Sequence, residues 1–124
     1  MLVYADLSSQ VLGAAIEVHR VLGPGMLEST YEHCLCHELP LRGVAFRRQV
    51  DCPVEHKGTL LDCGYRIDLL IEDCIILELK AIEKILPVHE AQLLSYLRLT
   101  GKKLGFLINF HSLRLKDGIV RRVL

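Results

Sequence analysis

The sequence predicts an α/β fold built on a mixed sheet, and three observations predict it. Two N-terminal segments space their apolar residues by three and four, the middle of the chain turns to alternating and β-branched runs, and a strand-helix-strand unit follows. With 124 residues and 51% hydrophobic content, the chain is expected to form a single domain, 1–124, around one core.

Leu7, Val11, Ala14, Ala15, Val18, Val21 and Leu22 keep the spacing of an amphipathic first helix, with Asp6 or Ser8 as its expected cap. Gly23-Pro24-Gly25 breaks it. Leu27, Tyr31, Cys34, Leu35 and Leu39 set a second helix that Gly43 ends. Pro40 is expected to kink or stop it early, because proline lacks the N–H that would bond back to Cys36. Segments 44–50 and 54–57 then read as strands, with Gly58 as a turn.

The next two strands carry the chemistry. In 63–71, Cys63, Tyr65, Ile67, Leu69 and Ile71 are expected on one face, and Arg66, Asp68 and Leu70 on the other. In 75–80, Ile75, Leu77 and Leu79 oppose Ile76, Glu78 and Lys80. Pro87 suits the first turn of a third helix running to about Thr100, stopped by Gly101. The nearly all-apolar run 104–110 predicts a strand covered on both faces, parallel to the strand before the helix through a right-handed crossover. Segment 113–123 completes the sheet as an edge strand or hairpin arm.

If Glu72-Asp73-Cys74 is a three-residue hairpin loop, Ile71 faces Ile75 and Asp68 falls opposite Glu78. Opposed residues hold their Cβ atoms about 4.5–5.5 Å apart, so two carboxylates meet with Lys80 two residues further on. Two readings follow. Asp68, Glu78 and Lys80 form a surface ion-pair ladder, or the carboxylates hold a divalent cation such as Mg²⁺ with waters and phosphate oxygens. The sequence around Glu78, Ile-Ile-Leu-Glu-Leu-Lys, has the character of an interior strand, where unpaired charge is costly, and this favours the cation.

Charge bounds the partners. Fifteen Lys and Arg balance fifteen Asp and Glu, so no global field draws the chain to nucleic acid or an anionic membrane. The distribution is uneven, with seven basic residues against one acidic from Arg98 to the C-terminus. That quarter is either a phosphate-facing edge or an ordinary solvated one. Five cysteines, an odd number, and an opening without a basic-then-apolar segment fit the reducing cytoplasm. No apolar run approaches the ~20 residues that span a bilayer, so a membrane is not expected as a partner.

Asp68, nine intervening residues, and Glu78-Leu79-Lys80 resemble the D-x(n)-(D/E)-x-K signature of the PD-(D/E)XK nuclease superfamily. Gly25-Met26-Leu27-Glu28-Ser29-Thr30-Tyr31 also resembles the motif that names the GxxExxY family of small bacterial and archaeal proteins, assigned to that superfamily. The likeness extends over Gly13 to His19, Tyr65 to Leu70 and His89 to Leu94. Ile67 stands where the superfamily's eponymous proline would be. The resemblance implies a restriction-endonuclease-like α-β-β-β-α-β core preceded by an extra N-terminal helix. It implies Mg²⁺ or Mn²⁺ on Asp68 and Glu78, with the Leu79 carbonyl as a possible further ligand and Lys80 positioning the attacking water. The substrate it implies is nucleic acid, DNA foremost.

Glu28, three residues before Tyr31 on one helix face, is a candidate third carboxylate for the metal; the alternative is a helix-start carboxylate favoured by the macrodipole. Gln92 and Tyr96 resemble the Q-x-x-x-Y motif of RecB-like nucleases and, with Tyr31, Lys102 and Lys103, make up the expected substrate-binding set. His33, Cys34, Cys36 and His37 make a poor zinc site, because the cysteines leave the face the histidines share and no second ligand pair follows. Buried, inert cysteines are the expectation there. A homodimer is compatible with cutting two strands, though no interface motif is visible. The alternative function is a catalytically silent binding or regulatory module that keeps the fold and its metal pocket.

Overall fold

A computed structural model describes residues 4–124. Helices α1 (Ala5–Leu22) and α2 (Glu28–Leu41) precede strands β1 (Phe46–Asp51), β2 (Val54–His56), β3 (Thr59–Leu61), β4 (Arg66–Ile71) and β5 (Ile75–Lys80). Helix α3 (Pro87–Thr100), β6 (Leu104–Asn109), a short 3-10 turn (Leu115–Gly118) and β7 (Ile119–Val123) complete the chain. Five strands form one sheet in the order β1-β4-β5-β6-β7, and β2 and β3 make a separate hairpin. The succession α2-β1-β4-β5-α3-β6 is the expected α-β-β-β-α-β core, with α1 added before it. The β2-β3 hairpin is inserted within it, and β3 is a strand the sequence pattern did not reveal.

Helices cover both faces of the sheet. Val11, Ala14, Ala15 and Val18 of α1 and Tyr31, Leu35 and Leu39 of α2 pack on Leu69, Ile71, Ile75, Leu77 and Leu79. On the opposite face Leu93, Tyr96 and Leu97 of α3 pack on Ile67, Leu70, Ile76 and Leu107. Gly105 lets α3 approach β6, since a Cβ there would lie 2.7 Å from Leu93 Cδ1. Strand β5 lies between β4 and β6, antiparallel to the first and parallel to the second, with Glu78 beside Leu107 and Lys80 beside Asn109.

Local departures from the sequence expectations have physical causes. No side chain caps α1, whose start is set by Tyr4 at φ 52°; Asp6 lies in the first turn, where a carboxylate suits the helix dipole, and Ser8 is inside the helix. Pro40 sits in the last turn of α2, so the helix ends one residue after it without a break. Strand β1 begins at Phe46 because the Val44 N–H closes the helix end on the Leu39 carbonyl. The 72–74 loop is closed by the Cys74 N–H on the Ile71 carbonyl at 2.8 Å, with Glu72 and Asp73 at φ 51° and 57°. Those are the positive φ values of a tight hairpin turn.

One correction bears on the site. Ile67 does not share a face with Leu69 and Ile71. Ile67 packs under α3 with Leu70, while Leu69 and Ile71 face α1 and α2. The strand changes face at Asp68, opposite Gln49, whose φ of 52° distorts the partner strand at the same level. Tyr65 therefore meets Tyr96 of α3, ring to ring at 6.2 Å and 68°.

Candidate metal centre

The β4-β5 ladder is regular from Ile71↔Ile75 to Leu69↔Leu77. One position further on, side chains replace the backbone pairing. The Asp68 N–H donates to Glu78 Oε2 at 2.8 Å, and the Leu79 N–H donates to Asp68 Oδ2 at 2.8 Å. Each carboxylate thus commits one oxygen to the backbone of the opposite strand and keeps Asp68 Oδ1 and Glu78 Oε1 outside that exchange. Glu78 is 4% exposed.

Burial, and then the Asp68 charge, push the Glu78 carboxyl up to about 8. Asp68 is also raised, first by burial; the Leu79 N–H, Lys80 and the Gln49 amide oppose that shift. Glu28, in the first turn of α2, is raised by partial burial and by Asp68, while Lys80 lowers it. Asp68, Glu78, Glu28 and Lys80 therefore share one electrostatic neighbourhood. Among the described residues Lys80 forms no ion pair, so its ammonium is not consumed by a fixed partner.

Two flanking networks hold the carboxylates and the lysine, and the sequence reading missed both. Glu32, one turn after Glu28 and 8% exposed, accepts from Arg48 and, at 2.9 Å, from Gln49 Nε2. This ties α2 to β1 at the level of Asp68. The four-residue spacing of Glu28 and Glu32 on one helix face was the available signal. Asn109, 3% exposed, donates to the Ile82 carbonyl at 2.9 Å and accepts from the Ile82 N–H at 3.1 Å. It clamps the chain just after Lys80, and the Phe110 N–H on the Lys80 carbonyl at 2.8 Å completes that clamp.

The remaining candidates divide. Gln92 and Tyr96 line a groove along α3, and Tyr96, whose hydroxyl burial and then the Glu78 charge push up to about 12, packs in one cluster with Ile67, the residue before Asp68. Tyr31, expected in the substrate-binding set, points into the core. It is fully buried, stacks on Phe110 at 4.5 Å, donates to the Gly23 carbonyl at 2.5 Å and accepts from the Met26 N–H at 3.1 Å. Its hydroxyl fastens the Gly23–Met26 loop, which is a structural role for that motif position. Lys102 and Lys103 precede β6 at the Ile75↔Leu104 end of the sheet, and Lys102 pairs with Asp73 at 3.2 Å. With Glu78 level with Leu107, four and five residues on, they stand roughly 13–17 Å along the sheet from Glu78 at ~3.3 Å per residue. Cys34 and Cys36 are half-buried against the helix core, with the Cys36 thiol raised by burial.

The donor set suits a hard cation. Among the described residues no three His, Cys, Asp or Glu side chains converge into a complete cage. Two carboxylates that each keep one oxygen outside the backbone exchange are donors of the kind a hard divalent cation takes, with waters and substrate phosphates filling its other positions. Lys80 lowers both carboxyls, yet burial leaves each of them raised, and a cation would relieve that remainder.

A family model for the PD-(D/E)XK nuclease superfamily matches residues 5–123. No curated protein and no solved structure matches the chain. With the match covering nearly its whole length, and with the fold and carboxylate pair described above, the chain belongs to the PD-(D/E)XK nuclease superfamily.

Proposed function

We propose that this protein is a Mg²⁺- or Mn²⁺-dependent nuclease of the GxxExxY type that hydrolyses phosphodiester bonds in DNA. The observation that carries the reading is the reciprocal exchange between Asp68 and Glu78, which keeps two part-buried carboxylates side by side beside an unpaired lysine. Asp68 and Glu78 are the residues that would hold the cation, with Glu28 contributing from α2. When bound, a divalent cation polarises the phosphate and lowers the pKa of water.

Lys80 donates to the attacking water, orients it in line with the scissile bond, and stabilises the charge that develops on the phosphate oxygens. Asn109 keeps the Lys80 backbone from drifting, and Glu32 with Gln49 does the same for Asp68. Gln92 and Tyr96 border the substrate. A single domain over 1–124 working in the cytoplasm fits the composition, and a homodimer would supply a second site for a second strand.

A second reading, a silent binding or regulatory module that keeps the metal pocket, draws on the balanced charge, fifteen Lys and Arg against fifteen Asp and Glu, which supplies no global attraction to nucleic acid. Incubation of the purified protein with labelled single-stranded DNA, duplex DNA and RNA, in Mg²⁺, Mn²⁺ or chelator, decides between the two. Cation-dependent cleavage supports the nuclease. Cation binding without cleavage of any of these substrates supports the silent module.

A further inference from the structure

Along α3 runs an open groove of about 540 Å³, bounded by the start of β2 and by Tyr65, three residues before Asp68. We propose that this groove receives an unpaired nucleobase next to the scissile phosphate, so that the substrate is nucleic acid with single-stranded character at the cut. This inference rests on the nuclease reading and names its substrate class.

The groove has the chemistry of a base pocket. Val54, Val88 and Leu99 give it apolar walls, and Val88 and Leu99 remain 66% and 39% exposed although large aliphatic side chains favour burial. Tyr65 is 45% exposed and stands edge to face with the nearly buried Tyr96, so one ring is anchored and the other is free to stack. Gln92 and Ser95 add hydrogen-bonding groups for a base edge. Arg98 is the one charged side chain of the lining, and no carboxylate joins it. A cation among apolar and aromatic groups matches a nucleotide, which presents a π-face and an anionic phosphate together.

Duplex DNA fits this surface poorly. A paired helix presents phosphates and base edges while its π-faces stay stacked inside, so it would leave the apolar walls and the free tyrosine ring unfilled. A single strand presents those faces at a much lower unstacking cost, and sequence-tolerant stacking on aromatic rings is how such strands are held. Continuity with the metal centre sets the register. Tyr96 lines the groove, meets Tyr65 and packs in one cluster with Ile67, the residue before Asp68, so a base seated there brings its own phosphate toward the carboxylates.

Fluorescence anisotropy in chelator, with a labelled oligothymidylate and a hairpin duplex of equal length, tests the assignment apart from cleavage. The single strand is expected to bind at least about tenfold more tightly than the duplex. Tyr65→Ala is expected to lose about tenfold on the single strand alone, the effect of one lost base stack, while Tyr65→Phe keeps it. Val88→Glu, at an exposed wall position, is expected to weaken single-strand binding as well. Equal affinity for both probes, or indifference of the single strand to Tyr65→Ala and Val88→Glu, overturns the proposal. Cleavage assays on the same probes separate the two ideas. Tyr65-dependent single-strand binding without cleavage in Mn²⁺ upholds the groove and contradicts the nuclease, whereas Tyr65-indifferent duplex cleavage does the reverse.

Discussion

Asp68 and Glu78 are joined through their backbones: the Asp68 N–H bonds the Glu78 carboxylate, and the Asp68 carboxylate bonds the N–H of Leu79. A plain β-ladder would spend those amides on carbonyls. Here they hold two acids in a fixed relation that the sheet alone does not neutralise, and the expectations below derive from that tension.

Asp68→Asn is expected to weaken Mn²⁺ binding by about tenfold or more, because it removes one of two anionic oxygen donors while keeping the shape that accepts the Leu79 N–H. Calorimetry on wild type and variant measures it. Equal affinities would place the cation elsewhere.

Stability should respond to pH with an unusual sign. A Glu78 carboxyl raised from 4.5 to about 8 binds its proton more tightly folded than unfolded. Its contribution is therefore complete below pH 4.5 and is lost as pH rises toward 8. The change amounts to at most several kcal/mol, on the order of 1.4 kcal/mol for each tenfold difference in proton affinity. Urea denaturation in chelator should show wild type losing stability across this window relative to Glu78→Gln, which cannot ionise. Added Mg²⁺ should flatten the difference. Parallel profiles for the two proteins in chelator would contradict the burial argument.

Gln49→Ala is expected to lower cleavage several-fold and to weaken Mn²⁺ binding less than Asp68→Asn does. It frees one carboxylate oxygen of Glu32 and loosens the support of Asp68 without removing a ligand. Mn²⁺ affinity and the cleavage rate, measured side by side, distinguish a positioning role from a purely structural one, which would shift the melting temperature alone.

Lys102 and Lys103 should matter little to nucleic-acid affinity. Lys102 is engaged with Asp73 at the far end of the sheet, and Arg122, another residue of the basic C-terminal quarter, pairs with Glu90. Replacing both lysines with alanine is expected to leave the salt dependence of single-strand binding nearly unchanged. Arg98→Ala, in the groove, should flatten it by ~0.7 in log-log slope, one phosphate's worth. The opposite ranking would move the binding face to the β6 end of the sheet.

Much of this geometry is legible in the sequence because local rules govern it. The spacing of Val11, Ala14, Ala15 and Val18 and the nearly all-apolar run into Phe110 fix helix and buried strand. The three-residue loop at 72–74 fixes the register, so the level at which Asp68 meets Glu78 could be counted in advance. Long-range effects were hidden. Nothing local in Ile67-Asp68-Leu69 announces that the strand changes face there; the change falls at the level of Gln49, at positive φ on the neighbouring strand. Tyr31 looks like a site residue because it belongs to a motif, yet its hydroxyl is taken up by Gly23 and Met26. The clustering of Lys102 and Lys103 in sequence says nothing of which end of the sheet they reach.

The most direct test is the single-turnover cleavage rate of Lys80→Ala against wild type in Mn²⁺, with cation affinity measured on the same samples. The ammonium is not a metal ligand, and its removal takes a positive charge away from the cation, so Mn²⁺ binding should persist or strengthen. Cleavage should fall by about 10²-fold or more, the usual effect of losing one group that stabilises the transition state. A variant that binds Mn²⁺ and cleaves as fast as wild type would contradict the role given to Lys80 and, with it, the proposed mechanism.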